Sequence, residues 1–193
     1  MKSPVALIFL TLIFLCGVTN AQTRATINFD LRPDGAEVSD ASGPSRSRVI
    51  KKSDNDKTRR AASIEKEVFL LINAERAKNG LPDLEWNESL ATVARLHSED
   101  MASAKFFGHR GSDGSMVDER ADRMGLGAWR SIGENIAYMR GLDEPARLAV
   151  EKWLESTAHR KNLLGPTWKE SAVGVVLTED GTYYLTEVFL LRK

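Results

Sequence analysis

The sequence predicts an α+β domain in which helices cover a small, mainly antiparallel sheet. Three observations carry this. Apolar residues recur at helical spacing through Ile64, Val68, Leu71 and Ile72, and again through Leu90, Val93, Ala94, His97 and Met101. Two runs rich in β-branched and aromatic residues, 172–177 and 183–190, close the chain around the turn Glu179-Asp180-Gly181-Thr182. Helical patterns also stand before and between the few strand patterns.

The domain is preceded by a leader. Lys2 supplies a positive start, and residues 5–18 form an uncharged apolar run too short for a comfortable membrane span. Ala21 ends a small-residue cleavage site, so residues 1–21 read as a signal peptide and Gln22 as the mature start. An uncleaved anchor is the competing reading. Cleavage removes Cys16, the one cysteine, so the exported chain must hold its core by packing alone. After cleavage no integral membrane segment is expected.

Residues 22–62 read as a tail. Ile27 to Leu31 alternate like a short strand, and Pro33-Asp34-Gly35 ends it. The 27 basic and 27 acidic residues of the chain cancel, but between Ala41 and Arg60 the residues Arg46, Arg48, Lys51, Lys52, Lys57, Arg59 and Arg60 stand against only Asp54 and Asp56. With almost nothing to bury, this stretch is expected to be a basic, disordered linker. No aromatic residue interleaves with the cations, which argues against a nucleic-acid partner.

The folded domain, residues 63–193, is expected to begin with Ser63 as an N-cap and to end its first helix at Asn79-Gly80. Leu84 and Trp86 enter the core from an extended connector, and Asn87 caps the second helix. A Gly-containing loop covers residues 111–115, and a short charged helix runs from Val117 to Met124, stopped by Gly125. Residues 131–138, SIGENIAY, form a Gly-interrupted apolar stretch with one buried carboxylate, Glu134. Asp143 and Pro145 start the next helix as cap and first-turn proline, with Leu148, Ala149, Trp153 and Leu154 as its packing face.

Residues 153–164, WLESTAHRKNLL, carry the densest chemistry. Glu155 stands four residues before His159, one of only three histidines. On one continuous helix both share a face. Alternatively the helix breaks at Ser156 or Thr157, and that residue caps a second short helix bearing His159. Ser156 beside His159 reads as a cap, not as a nucleophile.

Four segments now stand in order: HSEDMA with FFGH (97–109), GENIA (133–137), WLESTAHRKNLL, and VGVVL with the closing hairpin. Together they resemble the CAP superfamily of SCP-like extracellular proteins, in its cysteine-free microbial branch, over residues 63–190. The resemblance implies an αβα sandwich with an open cleft lined by two His and two Glu. Position by position these are His109, Glu134, Glu155 and His159. It also exposes a departure. Where microbial members carry an aromatic-Trp-Thr-Gln-like strand, this chain reads Tyr184-Leu185-Thr186-Glu187, a carboxylate in place of a neutral amide.

Two imidazoles and two carboxylates suit a divalent cation such as Zn2+, with His109 and His159 as direct ligands and the glutamates orienting the rings. The bland reading is that each Glu accepts from a His ring to fix a loop. The expected function is an exported protein, extracellular or periplasmic, that binds a metal, a lipid or an envelope component in this cleft. A metal-dependent hydrolase is the alternative, with metal-bound water as nucleophile and Glu134 or Glu155 as base. His97 is expected to be a satisfied core histidine bonded to a loop carbonyl. Arg110 and Arg160 follow the two site histidines; for Arg110 solvent is favoured. Asn135 is expected to bond backbone and hold the Glu134 loop.

Overall fold

The computed structural model describes residues 46–193, with side chains from Asp54 onward. The expected leader and residues 22–45 of the expected tail lie outside the described residues. Helix α1 runs from Arg46 to Lys78, 33 residues. It therefore starts well before Ser63, and the stretch read as a disordered linker is helical from Arg46. This part of α1 lacks the apolar periodicity that marks the helix beyond Ser63. Arg and Lys are good helix formers, and contacts other than greasy ones dock this part. Lys57 pairs with Glu179, and the Arg60 guanidinium lies 5.6 Å from the Tyr183 ring centroid. Of the expected stripe Ile64, Val68 and Ile72 are buried and Leu71 is half-buried, with Ala61 buried one turn earlier. Gly80, at φ 68°, ends the turn after the helix, and the Leu81 N–H closes back onto the Arg76 carbonyl at 3.0 Å.

Strand β1 is Glu85–Trp86. Helix α2, Glu88–Ala104, is capped by Asn87, which accepts from the Leu90 N–H at 3.1 Å. Its five expected core residues are all buried. Helix α3 is Val117–Arg123, followed by Gly125 at φ 67°. The GENIA stretch is the middle of strand β2, Trp129–Arg140. Helix α4, Pro145–Glu155, has Glu144 at its N-cap, with no side-chain cap bond, and not Asp143. Its buried face is Ala146, Ala149, Val150 and Trp153, while Leu148 and Leu154 are half-buried. The break at Ser156 is real: α5, Thr157–Leu163, follows at once. Strands β3, Glu170–Leu177, and β4, Thr182–Arg192, make the closing hairpin.

The sheet order is β1-β3-β4-β2, with β1 parallel to β3 and both other pairs antiparallel. Helices cover both faces, as an αβα sandwich requires. Leu185 and Phe189 of β4 pack with α1, α4 and α5, and Val188 and Leu190 pack with α2 and α3. This explains why nine consecutive residues of β4 are buried. Close approach is built in at Gly174 of β3, where an added Cβ would stand 2.1 Å from the Arg95 backbone nitrogen of α2.

Side chains complete both outer edges of the sheet. On β2, the Glu134 carbonyl accepts from Asn162 Nδ2 at 3.1 Å and the Ile136 carbonyl from Trp153 Nε1 at 3.0 Å. On β3, beyond the two-residue β1, the Val175 N–H donates to Glu65 Oε1 at 3.1 Å. The β2 bonds seat the α4–α5 segment against the GENIA strand, and so place His159.

Candidate functional site

The site forms where β2 separates two faces of the sheet. Even-numbered residues of β2 point towards α2 and α3, and Glu134 is among them. Its side chain is only 3% exposed. Three neighbours converge on it. His109 Nδ1–H donates to Glu134 Oε1 at 2.8 Å, and Arg120 Nη2 donates to Oε2 at 2.5 Å. His97 Nε2 lies 3.9 Å from Oε1. Burial alone would raise the Glu134 pKa. The His109 bond and the Arg120 charge outweigh it and hold the carboxylate below its ordinary value.

Arg120 is a member of this cluster that the sequence did not point to. It also donates to the His109 carbonyl at 3.1 Å and the Ser115 carbonyl at 2.9 Å, so it ties the loop carrying His109 to α3. Nothing in the local sequence DERADR marks one arginine as buried. His97 is buried and bonds a loop carbonyl as expected, Nε2 donating to Gly108 at 3.0 Å, but it is not fully satisfied, since its Nδ1 has no partner. Arg110 is exposed, as expected, and bonds the Gly114 carbonyl.

At the β2 edge of the sheet stands His159, 4% exposed, in the first turn of α5. Ser156 Oγ accepts from its backbone N–H at 3.4 Å. The ring lines a cavity of about 230 Å³ whose walls include Ile136, Ala137, Met139 and Trp153. Its Nε2 is buried without a partner. Burial, and then the neighbouring His109, lower its pKa to about 4, so the ring is neutral at physiological pH. Asn135 Nδ2 donates to the His159 carbonyl at 3.3 Å, and Asn162 Nδ2 to Asn135 Oδ1 at 2.9 Å. Asn135 bonds backbone as expected, but the backbone is that of α5, and Glu134 stands in strand β2 and not in a loop, so these bonds lock α5 onto β2.

Glu155 does not join the buried cluster. It shares the cavity rim with His159, but its side chain is 64% exposed and accepts from Lys152 at 2.7 Å. The helix break explains this. Ser156 takes extended backbone at ψ 121°, so α4 and α5 are not one helix and the four-residue spacing no longer sets a common face. Glu187 does not face Glu134 either. It points to the α1 side, fully buried, where Ser171 Oγ donates to Oε1 at 3.1 Å and Oε2 has no partner. Among the described residues, no group of three or more His, Cys, Asp or Glu is arranged to hold a metal.

The model of the cysteine-rich secretory protein family, CAP, matches residues 69–190. An uncharacterized membrane protein of Bacillus subtilis, YlbC, is 41% identical over 128 residues, covering 66% of this chain and 34% of its own length. The uncharacterized B. subtilis protein YkwD is 35% identical over 129 residues, covering 67% of this chain and 48% of its own. The chain thus spans less than half the length of these curated relatives. Among solved structures, an extracellular SCP-domain protein of Bacillus anthracis superposes with a TM-score of 0.60 at 30% identity, over 79% of this chain and 45% of that one. An outer surface protein of Borrelia burgdorferi superposes with a TM-score of 0.62 at 21% identity, over 68% of this chain and 94% of that one, which speaks to fold alone.

Proposed function

Because the chain belongs to the CAP family of cysteine-rich secretory proteins, we propose that it is an exported binding protein whose cleft at the β2–α5 edge takes a lipid or cell-envelope ligand, with a divalent cation such as Zn2+ held by His109 and His159. The observation that carries this is the His159 ring: buried, neutral, and with Nε2 unpartnered beside an apolar cavity. Metal ligation requires a deprotonated imidazole. Glu134 fixes the His109 ring through Nδ1, as carboxylates do for ligating histidines. Two imidazoles fit an open site and not a closed structural one, so the remaining positions would fall to water or ligand. When bound, the cation would supply a positive charge for an anionic headgroup. The cavity is small for a whole ligand. It suits one apolar end of a larger molecule.

Binding is preferred to hydrolysis because neither glutamate is placed as a general base. Glu134 is engaged by His109 and Arg120, and Glu155 lies outside, paired with Lys152. Calorimetric zinc titration of the wild type beside His109→Ala/His159→Ala tests the reading. Stoichiometric binding that disappears in the variant is the expected result. No binding by the folded wild type would leave His109, Glu134 and His159 as a structural network.

A further inference from the structure

The basic stretch before Ala61 is helical, and a helix sorts its residues by side. At 3.6 residues per turn, positions three and four apart share a face. From Arg48 those steps lead through Lys52, Asn55, Arg59 and Ala62 to Lys66, all within α1. The series holds four cations and no acid, with Lys51 at its shoulder. The acids of this stretch fall elsewhere. Asp56 stands at the margin and pairs with Arg59, Glu65 is buried and holds Arg95, and Asp54 lies on another side, two positions from Lys52.

Packing fixes which way the series faces. Ala61, Ile64 and Val68 bury the other side of α1 in the domain. Arg59 and Lys66 each stand two positions from one of these buried residues, about 200° round the helix, and so face away from the domain. Exposure agrees. Asn55, Ala62 and Lys66 are exposed, and the Arg59 side chain is 77% exposed. The Arg59–Asp56 pair is an exposed (i, i+3) contact of the kind that contributes little and exchanges readily. Lys57 and Arg60 belong to the docked side, on Glu179 and Tyr183.

Four cations in a line about 27 Å long complement a line of negative charge. What the stripe lacks narrows the occupant further. No aromatic residue lies between Arg46 and Lys66, so nucleic-acid bases have nothing to stack on. A helix lying in a bilayer surface gives its apolar face to lipid, and α1 has committed that face to the core. Leu70, one turn past Lys66, is the single large exposed apolar side chain on this side among the described residues, which is ordinary for a surface. A compact anion would meet one or two of the cations. A linear polyanion meets them all and releases its condensed counterions.

We propose that this face of α1 binds a linear, non-nucleic polyanion, a chain of repeated phosphate or carboxylate charges, laid along Arg48, Lys52, Arg59 and Lys66. The helix holds the cations in register beforehand, so binding depends on their alignment and not only on their number. The surface shares no residue with the cleft and needs no metal at His109 or His159.

The test is a calorimetric titration of the full chain with long-chain inorganic polyphosphate and, separately, with polyglutamate. Saturable binding of at least one polymer is expected, and which of them binds tells phosphate from carboxylate. Its log K should fall against log salt with a slope of about −3, as four charges are neutralised. Arg48→Gln/Lys52→Gln/Arg59→Gln/Lys66→Gln keeps good helix formers and should weaken binding about a hundredfold or more. Arg130→Gln/Lys161→Gln/Lys169→Gln/Lys193→Gln removes as many exposed cations elsewhere and should stay within about twofold of the wild type. Ser53→Pro keeps every cation but breaks the line, and should weaken binding about tenfold. The proposal is overturned if the folded wild type binds neither polymer, if the two quadruple variants lose affinity equally, or if Ser53→Pro binds as tightly as the wild type. Tighter binding to phosphatidylglycerol vesicles or to single-stranded DNA than to either polymer overturns it as well.

Discussion

Two buried carboxylates, Glu134 and Glu187, stand one position apart across the β2–β4 ladder, where Glu187 pairs with Asn135. They point to opposite faces of the sheet. Both are shut away from solvent, with a 3% exposed side chain at Glu134 and a fully buried residue at Glu187. Their charge states diverge because their donors differ. Glu134 receives an imidazole and a guanidinium, and its pKa falls. For Glu187, burial dominates and raises the pKa well above 4.5, against the Ser171 bond and the Arg76 charge. Arg76 is near but spends Nε and Nη1 on the carbonyls of Pro82, Leu163 and Gly165, and its buried Nη2 bonds neither them nor Glu187. The same burial thus yields a carboxylate at the site and pushes its neighbour towards the neutral acid. Partners decide, and depth does not.

The sharpest way to break the comparison is Glu134→Ala. It removes the buried acceptor shared by His109 Nδ1–H and Arg120 Nη2, and should cost about 3–5 kcal/mol in urea denaturation. Because the Glu134 pKa is depressed, its contribution is present above its unfolded value of 4.5 and fades as pH falls through the folded one. The acid limb of the wild-type stability curve should therefore flatten in the variant.

A histidine extends the same logic. The folded pKa of His159 is lowered from 6.5 to about 4. Below 6.5 the unfolded chain takes up a proton that the folded one refuses, so stability drops as pH falls across that window. The slope at this group approaches about 1.4 kcal/mol per pH unit. His159→Leu should remove it, as read by thermal unfolding between pH 7 and 4.

Glu187→Gln should act in the opposite direction. A raised carboxyl pKa means stability is full at low pH and is lost as pH rises above 4.5 towards the folded value. The amide has no such penalty, so the variant should be more stable than the wild type at pH 7, by about 1 kcal/mol, with the advantage gone near pH 4. Smallest of all, Glu155→Gln should change stability by less than about 0.5 kcal/mol and leave the zinc isotherm unmoved, since that side chain is solvated.

Local signals in the chain announced most of the elements. The Asn87 cap, the five core positions of α2, the Gly80 and Gly125 stops and the closing hairpin all follow from short-range rules. His109 beside Glu134 was also legible, through ordered motifs and not through spacing. The long-range consequences were hidden. Glu155 and His159 look adjacent in sequence, yet one backbone turn at Ser156 parts them. Arg120 reaches Glu134 only once α3 is folded against β2, and no periodicity predicts that. The early part of α1 was misread for a related reason. Its docking rests on an ion pair to Glu179 and a cation over Tyr183, partners more than a hundred residues away.

The sheet edges carry a last consequence. An open strand is a template on which another strand can add, and a chain without disulfides has no covalent lock against it. Here Trp153, Asn162 and Glu65 occupy the ladder positions such an intruder would need. Trp153 and Asn162, which seat α4 and α5 and with them His159 against β2, therefore also act as a barrier to self-association: damage to the site's scaffold and a liability to aggregate are, in this protein, one event.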